Sequence, residues 1–373
     1  MARHARKFTP RQRTKRPLGT SITSNAAPKT PHDKPILHDS GWLIKPPLSA
    51  RLFQKSGIGV PLSGEDGIIL SPMEILFCNW HRHLPLPSDD WFENEVAKDS
   101  DLLAKAVIFD TARSGGEIVI PCSNISDHEL SSGLFALKWK RNQSQFKSGP
   151  VSHVRWFWTF ENLDWNEIFN WAEQVENLNC KSDIFIIDEE MEVTMYRVSF
   201  IEPVGSQKVW SELTGEEVEL ISKMWNSRIE TNSGYHMPIE KRWPLNSIGV
   251  EHLSGINLRK EEGIWLEKMI NNDQLAEDSL LYDNLINRGL ILRPGFKFGS
   301  RWRIYDDEVS KSHAPWLLQT EDEVAKTWES ACLSIRLAEG VHKKWVCAIK
   351  NDSDWRFMPV SYTHLTLPTI CSV

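Results

Sequence analysis

The chain has 373 residues, 40% of them apolar and 10% aromatic, which supports two or three packed cores and argues against a disordered protein. Its net charge of −7 hides an asymmetry: residues 1–40 carry nine Lys or Arg against two Asp, leaving 34 basic and 48 acidic residues for the remainder. An acidic body argues against a broad phosphate-binding surface. No run approaches the roughly 18 apolar residues that cross a bilayer, and six scattered cysteines without a CxxC pair predict reduced thiols, no zinc site and a cytoplasmic location.

The basic start, MARHARKFTPRQRTKRPLG, is rich in Arg, Thr and Pro and cannot build a core. Residues 1–40 are therefore expected to form a disordered arm, with attraction to phosphate as one use and simple solubilisation as the other. No apolar segment follows it, so it does not read as a secretory signal. From Gly41 the chain alternates apolar runs with turns, and the order of blocks occurs twice. The stretch Gly59–Trp80 lines up with Gly249–Ile270, each a short strand leading into an amphipathic helix. Next, Leu102–Ile120 parallels Leu280–Phe298: a helix ends at a Gly turn and a strand follows. SHVRWFWTF then matches SHAPWLLQT, and SDIFIIDEE falls in the register of KKWVCAIKN. The expected architecture is α/β, two tandem repeats, each of small mixed β-sheets flanked by helices. The first repeat is placed at 41–204, an N-terminal subdomain of the second at 205–290 and a further subdomain at 291–359.

Between Leu281 and Ile349 lies the most specific stretch. It contains the RG turn at Arg288 and Gly289, the GFKFG run from Gly295 to Gly299, and Tyr305 closing the next apolar run. His313 follows shortly after, and RLAEGVHKK begins at Arg336, with thirty residues from His313 to Lys343. This ordered set resembles the catalytic repeat of the archaeal tRNA-splicing endonucleases, in the branch that carries a degenerate and a catalytic repeat in each chain. The resemblance implies that Tyr305, His313 and Lys343 are catalytic, without metal or other cofactor. The substrate would be precursor tRNA, cut at bulge-helix-bulge structures to a 2′,3′-cyclic phosphate and a 5′-hydroxyl. It also implies that Arg336 and a second Arg on the last strand, for which Arg356 is the candidate, grip a bulged base. Two cuts per intron with one site per chain imply a homodimer, with TEDE at Thr320–Glu323 as a candidate interface loop.

The residue types suit that chemistry. Attack by a 2′-hydroxyl on its own phosphate needs a base, an acid at the leaving oxygen and a cation beside the phosphorane. Histidine supplies a proton near neutrality, lysine supplies fixed charge, and the phenol is a base only where a cation lowers its pKa of about 10. Taken singly, each has an ordinary alternative: Tyr305 as a half-buried aromatic, His313 as a solvated turn residue, and Lys343, beside Lys344, as surface charge. Two other functions therefore stand beside the endonuclease: a non-catalytic structural subunit, or an RNA-binding module of a tRNA-processing complex.

In the first repeat the alignment sets His153 opposite His313, Lys181 opposite Lys343 and Trp139 in the Tyr305 position, so that repeat is expected to be structural. Trp165, Phe169 and Trp171 recur at helical spacing and are expected in a core rather than on a base-stacking surface. The end of the chain, VSYTHLTLPTICSV from Val360, breaks with the preceding pattern. Its first six residues are what GTC TCT TAT ACA CAT CT encodes, so residues 360–373 are expected to be an adapter-derived tail. Neither Tyr362 nor His364 is then read as catalytic.

Overall fold

The structure, a computed structural model, describes residues 30–64, 66–126, 128–238, 242–252, 255–351 and 354–363. Most of the expected arm and most of the expected tail, His364 included, lie outside them. Two units divide the described residues: one comprises the chain up to His128 with Phe135–Val151, the other Glu129–Leu134 and the chain from Ser152 onward.

The first unit opens with β1 (Ile36–His38), inside the stretch expected as an arm, paired through the Asp39–Ser40 turn with β2 (Gly41–Ile44). Then come α1 (Leu48–Ser56), β3 (Val60–Pro61) and β4 (Ile68–Leu70), and the four strands form an antiparallel sheet in the order β1-β2-β4-β3. Helix α2 (Pro72–Arg82) starts at a capping box: Ser71 N–H donates to the Glu74 carboxylate at 2.9 Å, while Ser71 Oγ accepts from Glu74 N–H. Its buried Ile75, Leu76 and Phe77 face inward, Phe77 meeting Phe109 edge to face. Helices α3 (Trp91–Lys98) and α4 (Leu102–Arg113) lead to a hairpin of β5 (Ile118–Pro121) and β6 (Ala136–Trp139).

In the second unit β7 (Ser152–Trp158), α5 (Trp165–Asn177), β8 (Lys181–Ile187) and β9 (Val193–Val198) come first. After α6 (Gly215–Asn226), the strands β10 (Ile229–Thr231), β11 (Gly234–Pro238), β12 (Val250–His252) and β13 (Gly255–Arg259) form a sheet in the order β10-β11-β13-β12. The remaining elements are α7 (Lys260–Asn271), α8 (Leu280–Asn287), β14 (Ile291–Pro294), β15 (Trp302–Tyr305), β16 (Trp316–Thr320), α9 (Trp328–Gly340), β17 (Lys344–Asn351) and β18 (Asp354–Thr363). Eight of these strands share one sheet in the order β14-β15-β16-β17-β18-β9-β8-β7. Its parallel pairs, β7 with β8 and β16 with β17, are each bridged by a helix, as a parallel connection requires. Strand β18 continues through Val360–Thr363, where it pairs with β9.

The sheet is covered on both faces. Alternating side chains of β18 show this: Met358 and Val360 join α5 and α9 in one core, while Phe357 joins α7 and α8 in the other. Trp165, Phe169 and Trp171 are at most 5% exposed in the first of these, as their spacing predicts, and Trp165 lies 5.0 Å from Trp345, centre to centre. The second is built on Trp265, Tyr282 and Trp302.

The α/β expectation holds, with nine helices among the described residues. The order of elements also recurs. A four-stranded sheet of the same connectivity is followed by helices, a hairpin (β5–β6, β14–β15), and then strand, helix, strand, strand (β7-α5-β8-β9, β16-α9-β17-β18).

Candidate active site

Three residues come together around Ala314. Tyr305, the last residue of β15, is 6% exposed and forms a small buried cluster with Ile291 and Ala314. Strand pairing fixes this, because Tyr305 stands opposite Ile291 in the β14–β15 ladder. His313, just before Ala314, is exposed in the link from β15 to β16. Lys343 is half-buried, and its Nζ donates to Ala314 O at 2.7 Å.

The end of α9 aims that lysine. His342 takes a left-handed conformation (φ 56°), His342 N–H bonds to Glu339 O at 2.9 Å, and Lys343 N–H reaches back to Ala338 O at 3.0 Å. This is a Schellman ending. It also separates the two lysines that the sequence leaves ambiguous: Lys344 is exposed, opens β17, and uses its N–H on Pro315 O.

A cation that sequence reasoning missed stands beside them. Arg303 is two residues before Tyr305 and so on the same face of β15; its guanidinium lies 5.9 Å from the Tyr305 ring centre and 5.9 Å from that of Phe298. Lys343 Nζ is also 5.9 Å from the Phe298 ring. The GFKFG run thus turns at Gly299 (φ 64°) and offers Phe298 as a common seat for two cations. Partial burial, with the like charge of Arg303 adding to it, holds the Lys343 ammonium below the usual lysine range. The available sequence clue was the alternation of β15, which sets positions 303 and 305 on one side.

The two arginines expected to share a base are not brought together. Arg336 is exposed on α9, its guanidinium 5.9 Å from the Tyr362 ring. Arg356 lies on β18 six residues from Tyr362, roughly 20 Å along a strand. It is held by Glu173 at 3.3 Å and Glu176 at 3.6 Å, over the Phe200 ring at 4.6 Å.

Strand register also revises the internal alignment. Ile118 opposes Trp139 as Ile291 opposes Tyr305, so Trp139 does occupy the tyrosine position. Helix α5, however, ends as α9 does: Asn179 is left-handed and Cys180 N–H bonds to Val175 O at 3.1 Å. Cys180 therefore corresponds to Lys343, and Lys181 to Lys344, which is what the parallel pairs Ser152–Lys181 and Trp316–Lys344 also require. His153 lies inside β7, buried, with its Nδ1 2.9 Å from Ser131 Oγ, whereas His313 precedes β16. The shared dipeptide Ser-His therefore does not mark equivalent positions.

The family model of the tRNA intron endonuclease, catalytic C-terminal domain, matches residues 275–357. That range holds Tyr305, Ala314 and Lys343 together. This segment is similar to the catalytic domain of the tRNA intron endonucleases. Relatives extend the likeness. The tRNA-splicing endonuclease of Picrophilus torridus is 26% identical over 174 residues, 46% of this chain and 53% of that one. The Thermoplasma volcanium protein of the same name is 30% identical over 87 residues, covering 23% and 28%. That of Natronomonas pharaonis is 22% identical over 333 residues, 82% of this chain and 91% of its own. The chain spans about half the length of the Picrophilus relative and nearly all of the Natronomonas one.

Proposed function

We propose that this protein is an RNA endonuclease that excises introns from precursor tRNA at bulge-helix-bulge sites. Support comes chiefly from the Lys343 ammonium anchored on Ala314 O, beside His313 and against the cluster that buries Tyr305.

Lysine Nζ has three donors, so one can hold Ala314 O while others meet a non-bridging phosphate oxygen. Tyr305 takes the proton of the attacking 2′-hydroxyl, the base that this attack needs. The 2′-oxygen bonds to phosphorus, the bond to the 5′-oxygen breaks, and His313 gives that oxygen its proton. The products are a 2′,3′-cyclic phosphate and a 5′-hydroxyl, formed by side chains alone. Arg336 contacts the RNA.

The repeated element order supports a reading as two tandem endonuclease-like repeats, the first a scaffold and the second catalytic. Two cuts per intron then call for a homodimer, acting in the cytoplasm. The purified protein, incubated in EDTA with a labelled bulge-helix-bulge RNA, is expected to cut twice and leave cyclic phosphate ends. Cleavage that requires an added divalent ion, or that leaves 3′-hydroxyl ends, would overturn this mechanism.

A further inference from the structure

We infer that the second unit carries a pocket for an unstacked nucleobase of the RNA, beside the link that joins Tyr305 to His313. The inference rests on the endonuclease reading and adds a binding site to it. The cavity measures about 550 Å³, within the roughly 300–1,000 Å³ of small-ligand sites. One wall is Glu308–Ser310, part of the Tyr305–His313 link, and Ile291 lines it while also packing on Tyr305. A ligand here is thus a neighbour of the reacting phosphate.

Its chemistry suits a base better than a phosphate. Gln207 and Asn246 offer amide donors and acceptors, Arg242 is exposed at its rim, and Val250 and Ile256 supply apolar surface. Glu251 and Glu308 bring negative charge. The cation in the wall, Arg293, is already matched by Glu262 at 3.0 Å and donates to Gly249 O at 2.8 Å. An anion would meet acidic neighbours and a spent cation, whereas a base has an edge to bond and a face to bury.

The first half offers an internal control. A smaller cavity of about 230 Å³ lies at the corresponding place, after Gly59, whose φ of 77° matches the 75° of Gly249. There Val60 stands for Val250, Pro61 for Glu251 and Ile120 for Arg293, with Phe146 completing the wall. The first cavity has polar residues of its own, Asn124, Ser126, His128 and Gln145, but the positions matching Glu251 and Arg293 are charged only in the half that holds Tyr305.

The test places 4-thiouridine at each unpaired position of a bulge-helix-bulge RNA and irradiates it bound to the His313→Ala protein. In parallel, RNAs abasic at those positions are cleaved by the unaltered protein, by Arg242→Ala/Asn246→Ala, and by Phe146→Ala as control. The expected result is a crosslink from one position next to a cut to residues 242–256. Removing that base should raise KM roughly tenfold, with kcat little changed. Arg242→Ala/Asn246→Ala should raise KM alike and be insensitive to the same base loss, while Phe146→Ala behaves as the unaltered protein. Cleavage that persists with no such crosslink, or abasic effects undiminished in the double variant, would overturn the pocket and leave the endonuclease standing. Neither cleavage nor crosslinking would overturn both.

Discussion

Trp139 and Tyr305 hold the same place in their two hairpins, and Cys180 and Lys343 the same place after their two helices. In the first half the indole N–H of buried Trp139 donates to Ser148 O at 2.8 Å, and burial pushes the Cys180 thiol up, away from ionisation. Neither residue offers a base or a cation. In the second half the corresponding positions are a phenol and an ammonium, with Arg303 near both. The same frame is therefore compatible with a site or with none, and the difference lies in a few residues at strand and helix ends.

The largest expected effects fall on the second half alone. His313→Ala and Lys343→Ala should each slow single-turnover cleavage about 10²–10⁴-fold with unchanged melting, while Cys180→Ala leaves the rate unaltered. Rates measured at saturating protein decide this; a matching loss in Cys180→Ala would mean the first half holds chemistry too. On the frame itself the halves should be equal. Trp165 of α5 and Trp328 of α9 are 5% and 1% exposed in one shared core, so truncating either to alanine should cost about 3–5 kcal/mol. Urea titration of both variants reads the two values; a small cost for one alone would break the equivalence.

A subtler contrast concerns charge. Lys343 sits below the usual lysine range because of its burial and, next, Arg303. The protonated form is the useful one, so activity should fall on the alkaline side earlier than an ordinary lysine would dictate. Arg303→Ala removes a like charge, raises the Lys343 pKa and moves that limb to higher pH. Paired pH–rate profiles test the sign, and a limb that stays or moves lower rules out this coupling.

Much of this was legible beforehand, for local reasons. The GFKFG run, Tyr305 and the Lys343 frame are short-range patterns, and the Trp spacing of α5 reports its buried face directly. The register of the first half was not legible. A one-residue slip changes which face a strand residue takes, and only backbone pairing showed that Cys180, not Lys181, answers to Lys343. The surroundings of Arg356 were not legible for a different reason: its partners Glu173 and Glu176 are 183 and 180 residues away in sequence, and no local pattern announces them.

The smallest effect concerns the two helix endings. His342 and Asn179 both hold left-handed backbone, φ 56° in each. A non-glycine residue in that conformation carries a penalty of roughly 1–2 kcal/mol, less for Asn, whose side chain can bond locally. Glycine removes the penalty but frees the unfolded chain, a loss of about 0.4–1 kcal/mol. At His342 the first term is the larger, so His342→Gly should stabilise by a few tenths of a kcal/mol, whereas at Asn179 the two nearly cancel and Asn179→Gly should be neutral or slightly destabilising. Thermal melts of the two variants compare the terms directly. Because Lys343 is aimed by backbone bonds to Ala338 and not by the imidazole, His342→Gly should also cleave RNA as before. A loss of cleavage there would mean that the His342 side chain takes part in the site.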